Sequence, residues 1–136
     1  MSSARQVRLV AETPAQYDAL LQSASGKAVE LGLQNFFVLF TGSKGAAGKS
    51  WCPDCVAAEP VIDQALSSLS SYVFLECPVD REEYRSPDYV YRTDDRIKLR
   101  CVPTLRRVSP SGKAVSQLND AQSQQATLVR ELLADE

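Results

Sequence analysis

Two cysteines separated by two residues are the part of this sequence best suited to chemistry. The pair lies in the stretch Trp51, Cys52, Pro53, Asp54 and Cys55. Cysteines at this spacing can bind a metal ion, close a disulfide, or exchange electrons with another disulfide. The rest of the sequence decides among these three chemistries.

The residues on either side of the pair indicate a buried strand followed by a helix. The run FFVLF is continuously apolar, which is typical of a central strand buried on both faces. A glycine-rich loop follows it. From Cys52 onward, apolar residues recur at helical spacing, at Ala58, Ile62, Ala65 and Leu69. The pair is therefore predicted to lie where a helix begins after a buried strand.

The remaining segments add further strands and helices. Strands are predicted for RQVRLV, SYVFLECPV, PTLRRVS and AVSQL, and the last two form a hairpin around the turn PSGK. The first helix is predicted to begin at Thr13 as N-cap, with Gln16 completing a capping box, and to stop at Gly26. A short helix is expected near Ser86 and Pro87, and an amphipathic last helix in AQSQQATLVRELLADE.

The resulting order, β-α-β-α-β-(α)-β-β-α, predicts an α/β fold. The early βαβ units indicate a parallel part of the sheet and the late hairpin an antiparallel part, with helices on both faces. A length of 136 residues is ordinary for one domain, so we expect a single domain over 1–136.

Composition excludes several classes of function. The formal net charge of −2 and the pI of about 5.2 argue against a nucleic-acid binder, which needs a basic surface. No apolar run has the length of a membrane span, and the first residues lack the apolar segment of a signal peptide, so we expect a cytosolic protein. The sequence has no histidine, which excludes Cys-His pairs and Ser-His-Asp triads.

A zinc site is the first alternative for the cysteine pair. A structural zinc ion needs four ligands, and Cys77 and Cys101 would have to supply the other two. Those cysteines are far apart in the sequence, and neither belongs to a second CxxC motif. Cys77 fits better as a core residue, and Cys101 as a small buried apolar residue, with a secondary redox thiol as its alternative. A zinc-stabilised interaction module is retained only as an alternative.

A phosphate-binding loop is the second alternative. The segment 42–50 follows a buried strand and ends in GKS, as does the motif G-x-x-x-x-G-K-[ST]. That motif requires four residues between its glycines, whereas five separate Gly42 from Gly48. Pro53 also falls inside the first turn of the following helix. A nucleotide-binding domain is therefore the weaker alternative.

A redox dithiol is the chemistry that the surrounding elements favour. A thiolate attacks a disulfide, whereas a free cysteine, with a pKa of about 8.5, is mostly protonated at neutral pH. The unpaired N–H groups and positive dipole end of a helix N-terminus favour a thiolate at Cys52. Pro53 fits the first turn because its missing N–H is not needed there. Cys55 is expected to be less exposed and to attack a mixed disulfide on Cys52.

The stretches FTGSK, GKSWCPDC and AEP resemble the thioredoxin superfamily, and within it the thioredoxin domain-containing protein 17 family, whose members have a WCPDC active site. The resemblance covers nearly the whole chain. It extends to Pro60, which matches a proline of the active-site helix, and to CVPTL, where Pro103 matches the family's cis-proline. It implies a thioredoxin fold, a central mixed sheet of about five strands flanked by helices on both faces.

The resemblance also implies a function, that of a cytosolic protein-disulfide reductase. In such a protein Cys52 attacks and Cys55 resolves. No cofactor is bound, since electrons arrive from NADPH through thioredoxin reductase. The expected substrates are selected protein disulfides and small disulfides such as cystine, with support of peroxide reduction as a further activity. We expect a monomer whose partners are thioredoxin reductase and these substrates, and which binds neither nucleic acid nor membrane.

Four further residues are expected to support the dithiol. The resemblance implies that Pro103 holds the preceding peptide bond cis and so places the Val102 backbone beside Cys52, where an extended substrate can pair. Trp51 is expected to form a surface against which partners pack. Asp54 suits the helix dipole, but its charge repels a thiolate and is expected to oppose ionisation of Cys52.

The chain departs from the thioredoxin pattern at the acid that takes a proton from the resolving cysteine. Thioredoxins place a buried aspartate in the strand before the motif, and here Leu39 holds that position. Glu59, four residues after Cys55 on the same helical face, is the candidate acceptor, with a solvated surface charge as the alternative. Three tyrosines are expected to govern any substrate selectivity outside the motif: Tyr84, Tyr89 and Tyr91.

Overall fold

The computed structural model describes residues 5–134, and within them a sheet of five strands. The strands are β1 (Gln6–Val10), β2 (Phe36–Gly42), β3 (Tyr72–Val79), β4 (Thr104–Val108) and β5 (Ala114–Leu118). Their order in space is β1-β3-β2-β4-β5. β3 pairs in parallel with β1 and β2, whereas β4 pairs antiparallel with β2 and β5. The predicted mixed sheet and terminal hairpin are confirmed.

Helices connect the strands in the predicted α/β order. They are α1 (Tyr17–Glu30), α2 (Pro53–Ser67), α3 (Arg81–Arg85), α4 (Val90–Thr93) and α5 (Ala126–Leu133). Single 3₁₀ turns precede α1, at Pro14–Gln16, and α5, at Gln122–Gln124. No helix within residues 5–134 combines the length and the apolar composition that crossing a bilayer requires.

Each face of the sheet packs against its own apolar core, and the alternating side chains of β2 contribute to both. Phe36, Val38 and Phe40 pack on the face covered by α1. Phe37 and Leu39 pack on the opposite face, against α2 and α5. The run 36–40 is apolar throughout because both of its faces are buried, and the residues that follow it lead into the loop before α2.

The first helix begins later than the sequence predicted. Thr13 forms no side-chain cap, and the chain makes a 3₁₀ turn before α1 begins at Tyr17. The side-chain oxygen of Gln16 instead accepts a hydrogen bond from the backbone amide of Glu12 at 2.8 Å. Gln16 therefore stabilises the entry turn through the amide one residue before the expected one.

The first helix also ends later than predicted, because its buried face continues past the first glycine. Ala24 and Ala28 are both fully buried, whereas Gly26 between them faces open space, where an added Cβ atom would have no neighbouring heavy atom within 4 Å. The helix ends at Glu30. Gly32, with φ of +73°, then adopts the left-handed conformation typical of a glycine that follows a helix.

The short helix predicted near Ser86 and Pro87 is present as two short helices, α3 and α4, and Ser86 and Pro87 themselves lie between them. The carboxylate of Asp80 accepts hydrogen bonds from the amides of Glu82 and Glu83, both at 3.1 Å, which fixes the start of α3. Ser86 has an extended backbone, with ψ of 129°. The ring of a proline clashes with the preceding residue in the helical conformation, so α3 ends before Ser86.

Candidate active site

Cys52 lies where the chain leaves the loop and enters α2. Its backbone is extended, with φ of −101° and ψ of 113°, and the helix begins at Pro53. The Cys52 sulfur accepts a hydrogen bond from the backbone amide of Cys55 at 3.2 Å, so this side chain caps the helix. The amide and the helix dipole both favour negative charge on the sulfur.

The loop before Cys52 is tied to the ends of the central parallel strands. The Ser50 hydroxyl donates to the carbonyl of Gly42 at 2.8 Å and accepts from the Cys52 amide at 3.2 Å. The Trp51 indole donates to the carbonyl of Val79, at the end of β3, at 2.8 Å. The sheet therefore fixes the backbone that carries the Cys52 sulfur.

Val102 and Pro103 lie directly beside the dithiol. The peptide bond that joins them is cis, as the resemblance implied. The thiol of Cys52 donates to the carbonyl of Val102 at 3.5 Å. The chain segment before β4 and the start of α2, which are 50 residues apart in sequence, therefore meet at the attacking sulfur.

Cys52 is less accessible than the sequence predicted. Cys52 is 5% exposed and Cys55 is 2% exposed, so their predicted order is confirmed but the difference is small. The cause is that the Cys55 amide and the Val102 carbonyl both contact the Cys52 sulfur. A disulfide that reacts with Cys52 must therefore reach a residue that is almost fully buried.

The Cys55 sulfur lies deeper, against the end of β2. The backbone amide of Gly42 donates to it at 3.3 Å. Burial is the main cause that raises the pKa of the Cys55 thiol to about 12. The hydrogen bond with Cys52 acts in the same direction, and hydrogen bonds with Gly42 and Thr41 act against it. Cys55 is therefore protonated at neutral pH and must lose a proton before it can attack a disulfide.

The carboxylate that the sequence suggested as proton acceptor is held by a cation. Glu59 forms an ion pair with Lys44 at 2.9 Å, and both side chains are about half exposed. Glu59 lines a cavity of about 270 Å³ between α2 and the sheet, and Cys55 lines the same cavity. Glu59 thus lines the same cavity as Cys55, but its carboxylate is paired with Lys44 at the protein surface.

A second carboxylate in this cavity, Glu76, was not predicted from the sequence. Glu76 lies on β3 beside Leu39 of β2 in the parallel register, and its side chain is half-buried. Burial raises the pKa of the Glu76 carboxyl above its ordinary value. The available signal was one acid within the otherwise apolar strand YVFLECPV, and its place in the sheet becomes visible only with the register.

Of the three tyrosines predicted to bear on selectivity, only Tyr84 is near the dithiol surface. Its ring lies 5.8 Å from the half-buried Trp51 ring, and the Arg92 guanidinium lies 4.0 Å from its centroid. Tyr89 and Tyr91 are 6% and 0% exposed and belong to the core under α1. These two tyrosines therefore pack as core side chains.

The remaining cysteines do not complete a zinc site. Cys77 is fully buried in the core under α1, and burial raises the pKa of its thiol. Cys101 is half-buried, with its sulfur 3.6 Å from the Thr104 hydroxyl. In the described part of the chain, no three or more Cys, Asp or Glu side chains are grouped as metal ligands. The phosphate-binding alternative needs free amides at the start of α2, and there the Cys55 amide donates to the Cys52 sulfur.

Comparison with known proteins identifies the family of this dithiol domain. A family model described as "Thioredoxin domain-containing protein 17-like, thioredoxin domain" matches residues 16–135. The chain belongs to this family. Its family and its fold are those of thiol–disulfide oxidoreductases, which agrees with a CxxC pair at a helix N-terminus.

Relatives of this thioredoxin domain-containing protein 17-like chain extend over most of its length. The human thioredoxin domain-containing protein 17 is 39% identical over 105 residues, covering 76% of this chain and 80% of that protein. The thioredoxin-like protein Clot of Arabidopsis thaliana is 34% identical over 131 residues, covering 94% and 96%. The structure of a mutant thioredoxin from Halobacterium salinarum is only 15% identical, but it shares the fold with a TM-score of 0.55 over 98% of this chain and 91% of its own.

Proposed function

We propose that this protein is a protein-disulfide reductase in which Cys52 attacks the substrate disulfide and Cys55 resolves the intermediate. The observation that carries the proposal is the position of the Cys52 sulfur at the N-terminus of α2, 3.2 Å from the Cys55 amide. An N–H donor and a helix dipole at one sulfur favour the thiolate, which is the nucleophile in disulfide exchange.

The reaction proceeds in two displacements. The Cys52 thiolate attacks one sulfur of the substrate disulfide, and the other sulfur leaves as a thiolate that takes a proton from solvent. Cys55 then loses its proton and attacks the Cys52 sulfur, which forms the Cys52–Cys55 disulfide and releases the second substrate thiolate. Two electrons pass from the dithiol to the substrate, and an external reductant must restore the dithiol.

The neighbouring residues take supporting parts in this mechanism. Pro53 lets the helix begin directly after Cys52, because it has no N–H to leave unpaired. The Val102 carbonyl accepts the Cys52 thiol hydrogen bond and so orients that side chain, and Pro103 completes the turn before β4. Trp51, which precedes Cys52, packs beside Tyr84 and offers a surface for partners. The carboxylate of Asp54 in the first turn of α2 suits the helix dipole.

The resemblance to the thioredoxin domain-containing protein 17 family supports a finer assignment. The dithiol receives electrons from NADPH through thioredoxin reductase, with no cofactor bound to this chain. Its substrates are selected protein disulfides and small disulfides such as cystine, and it supports peroxide reduction. The protein acts as a monomer in the cytosol, where the glutathione and thioredoxin systems keep a dithiol reduced.

The proposal is tested by following NADPH consumption in the presence of thioredoxin reductase, with cystine and a protein disulfide as parallel substrates. We expect turnover by the wild type, none by Cys52→Ser, and a trapped mixed disulfide with Cys55→Ser, detected by mass spectrometry. A wild-type protein that consumes no NADPH with either substrate, or a Cys52→Ser variant that retains activity, would contradict the proposal.

A further inference from the structure

The resolving step needs a proton acceptor near the Cys55 sulfur. The Cys55 side chain is 2% exposed, so water outside the protein has little access to its sulfur. A thiol does not displace a thiolate from a disulfide, so the Cys55 proton must leave before or during the attack on Cys52. A carboxylate that borders the same cavity as the Cys55 sulfur is placed to accept this proton.

We propose that Glu76 accepts the proton of Cys55 when Cys55 resolves the mixed disulfide, an inference that rests on the proposed function. Glu76 and Cys55 line one cavity of about 270 Å³ between the sheet and α2. A water molecule takes about 30 Å³ of liquid volume, so the cavity has room for water to connect the carboxylate to the sulfur. The helix supplies Cys55 to this cavity, and the sheet supplies Glu76.

Two other carboxylates line this cavity, and both are held by cations. Glu59 pairs with Lys44 at 2.9 Å. Asp63 pairs with Arg8 at 3.3 Å, and its side chain is 51% exposed. In contrast, the Glu76 side chain forms no hydrogen bond or ion pair with any residue in the range 5–134 that the structure describes. Glu76 is the carboxylate that remains available.

The charges that face Glu76 leave it more basic than an ordinary glutamate. Burial is the largest cause that raises its pKa, and the negative charges of Glu59 and Asp63, both from α2, act in the same direction. Lys44, from the loop after β2, and Arg8, from β1, act in the opposite direction. A carboxylate with a raised pKa accepts a proton from a thiol more readily than an exposed one does.

The transfer balances without any further reactant. The Cys55 S–H bond breaks, its proton passes to the Glu76 carboxylate, and the electron pair stays on sulfur. That sulfur forms a bond with the Cys52 sulfur, the bond between Cys52 and the substrate breaks, and the substrate leaves as a thiolate. Glu76 then returns its proton to the departing thiolate or to solvent.

The two displacements can be measured separately with the reduced full-length chain and an aromatic disulfide whose thiolate is coloured. In stopped flow, the first thiolate released reports attack by Cys52 and the second reports attack by Cys55. We expect Glu76→Gln to leave the first phase unchanged and to slow the second about tenfold or more, consistent with loss of a general base. We also expect Glu76→Asp to recover part of the second rate.

The dependence of the second phase on pH distinguishes proton transfer from a structural role. In the wild type this phase should slow as the pH falls through the pKa of Glu76, because the protonated carboxyl cannot accept a proton. In Glu76→Gln that inflection should be absent. Glu59→Gln and Asp63→Asn, which remove a charge from the same cavity, serve as matched controls and should keep the inflection.

The outcomes separate this inference from the proposed function. A wild type that releases no coloured thiolate would overturn both. A wild type that releases two thiolates, together with a Glu76→Gln variant whose second phase has the wild-type rate and pH profile, would overturn only the inference. Equal slowing of both phases by Glu76→Gln would also overturn the inference. Loss of the proton acceptor for Cys55 should slow only the second phase, whereas damage to the fold slows both.

Discussion

Asp54 is a charged residue within two positions of the attacking sulfur, and its side chain is exposed in the first turn of α2. A carboxylate in that turn is favoured by the helix dipole, while the same charge repels a thiolate at Cys52. The two effects act on different partners. One stabilises the helix, and the other opposes formation of the nucleophile.

Removing the charge of Asp54 should therefore make Cys52 react faster. In Asp54→Asn we expect the alkylation rate of Cys52 at pH 7 to rise by up to about fivefold, since an exposed charge interacts with its neighbours by less than about 1 kcal/mol. The measurement is the rate of alkylation by iodoacetamide, with Asp95→Asn as the control for an exposed acid elsewhere. An unchanged or lower rate in Asp54→Asn would refute this role.

At the scale of elements, the junction between β2 and α2 depends on one glycine. A Cβ atom on Gly42 would lie 2.6 Å from the Ser50 hydroxyl, 2.9 Å from the Cys52 Cβ and 3.0 Å from the Trp51 ring. These distances are shorter than van der Waals contact. The loop can return across the strand end, and so present Cys52, only because position 42 has no side chain.

Gly42→Ala should consequently destabilise the protein and displace the dithiol. We expect a loss of about 1–3 kcal/mol in the free energy of unfolding, which is typical of overpacking, together with an altered alkylation rate of Cys52. Urea denaturation and the alkylation assay measure the two effects. Gly45→Ala is the matched control, because a Cβ there meets no atom within 4 Å, and its stability should stay near that of the wild type. Equal stability of the two variants would contradict the requirement for glycine at position 42.

Local sequence signals were enough to predict the helices and strands. They were not enough to predict the surroundings of the dithiol, which depend on contacts between residues far apart in the sequence. The start of α2 follows from neighbours in sequence, since an apolar strand, a proline and a helical apolar period meet near Cys52. The place of Glu76 depends on the parallel register that sets it beside Leu39. The low exposure of Cys52 depends on the Val102 carbonyl, which comes from a distant part of the sequence. The spacing of apolar and polar residues along the chain reveals neither the pairing of Glu76 with Leu39 nor the contact between Cys52 and Val102.

At the scale of the whole molecule, Cys77 and the two dithiol cysteines belong to one core cluster but differ in what they border. Cys77 lies in the core under α1 with no exposed surface, where it packs as an apolar side chain. The dithiol lies at the end of β2, and Cys55 borders the cavity that Glu76 also lines. In this position the Glu76 carboxylate can serve as a proton acceptor, but burial disfavours its charge. The same residue therefore affects both the chemistry of the site and the stability of the fold.

Glu76 should make the protein less stable as the pH rises. Its pKa is raised in the folded protein by burial, so folding favours the protonated form. The resulting stabilisation is complete below the unfolded pKa of about 4.3 and is lost as the pH rises through the folded pKa. In Glu76→Gln this loss should be absent, so the variant should gain in free energy of unfolding relative to the wild type as the pH rises above about 4.3. Urea denaturation at a series of pH values measures the difference, with the exposed Glu131→Gln as a control. A constant difference at all pH values would show that Glu76 carries no shifted titration.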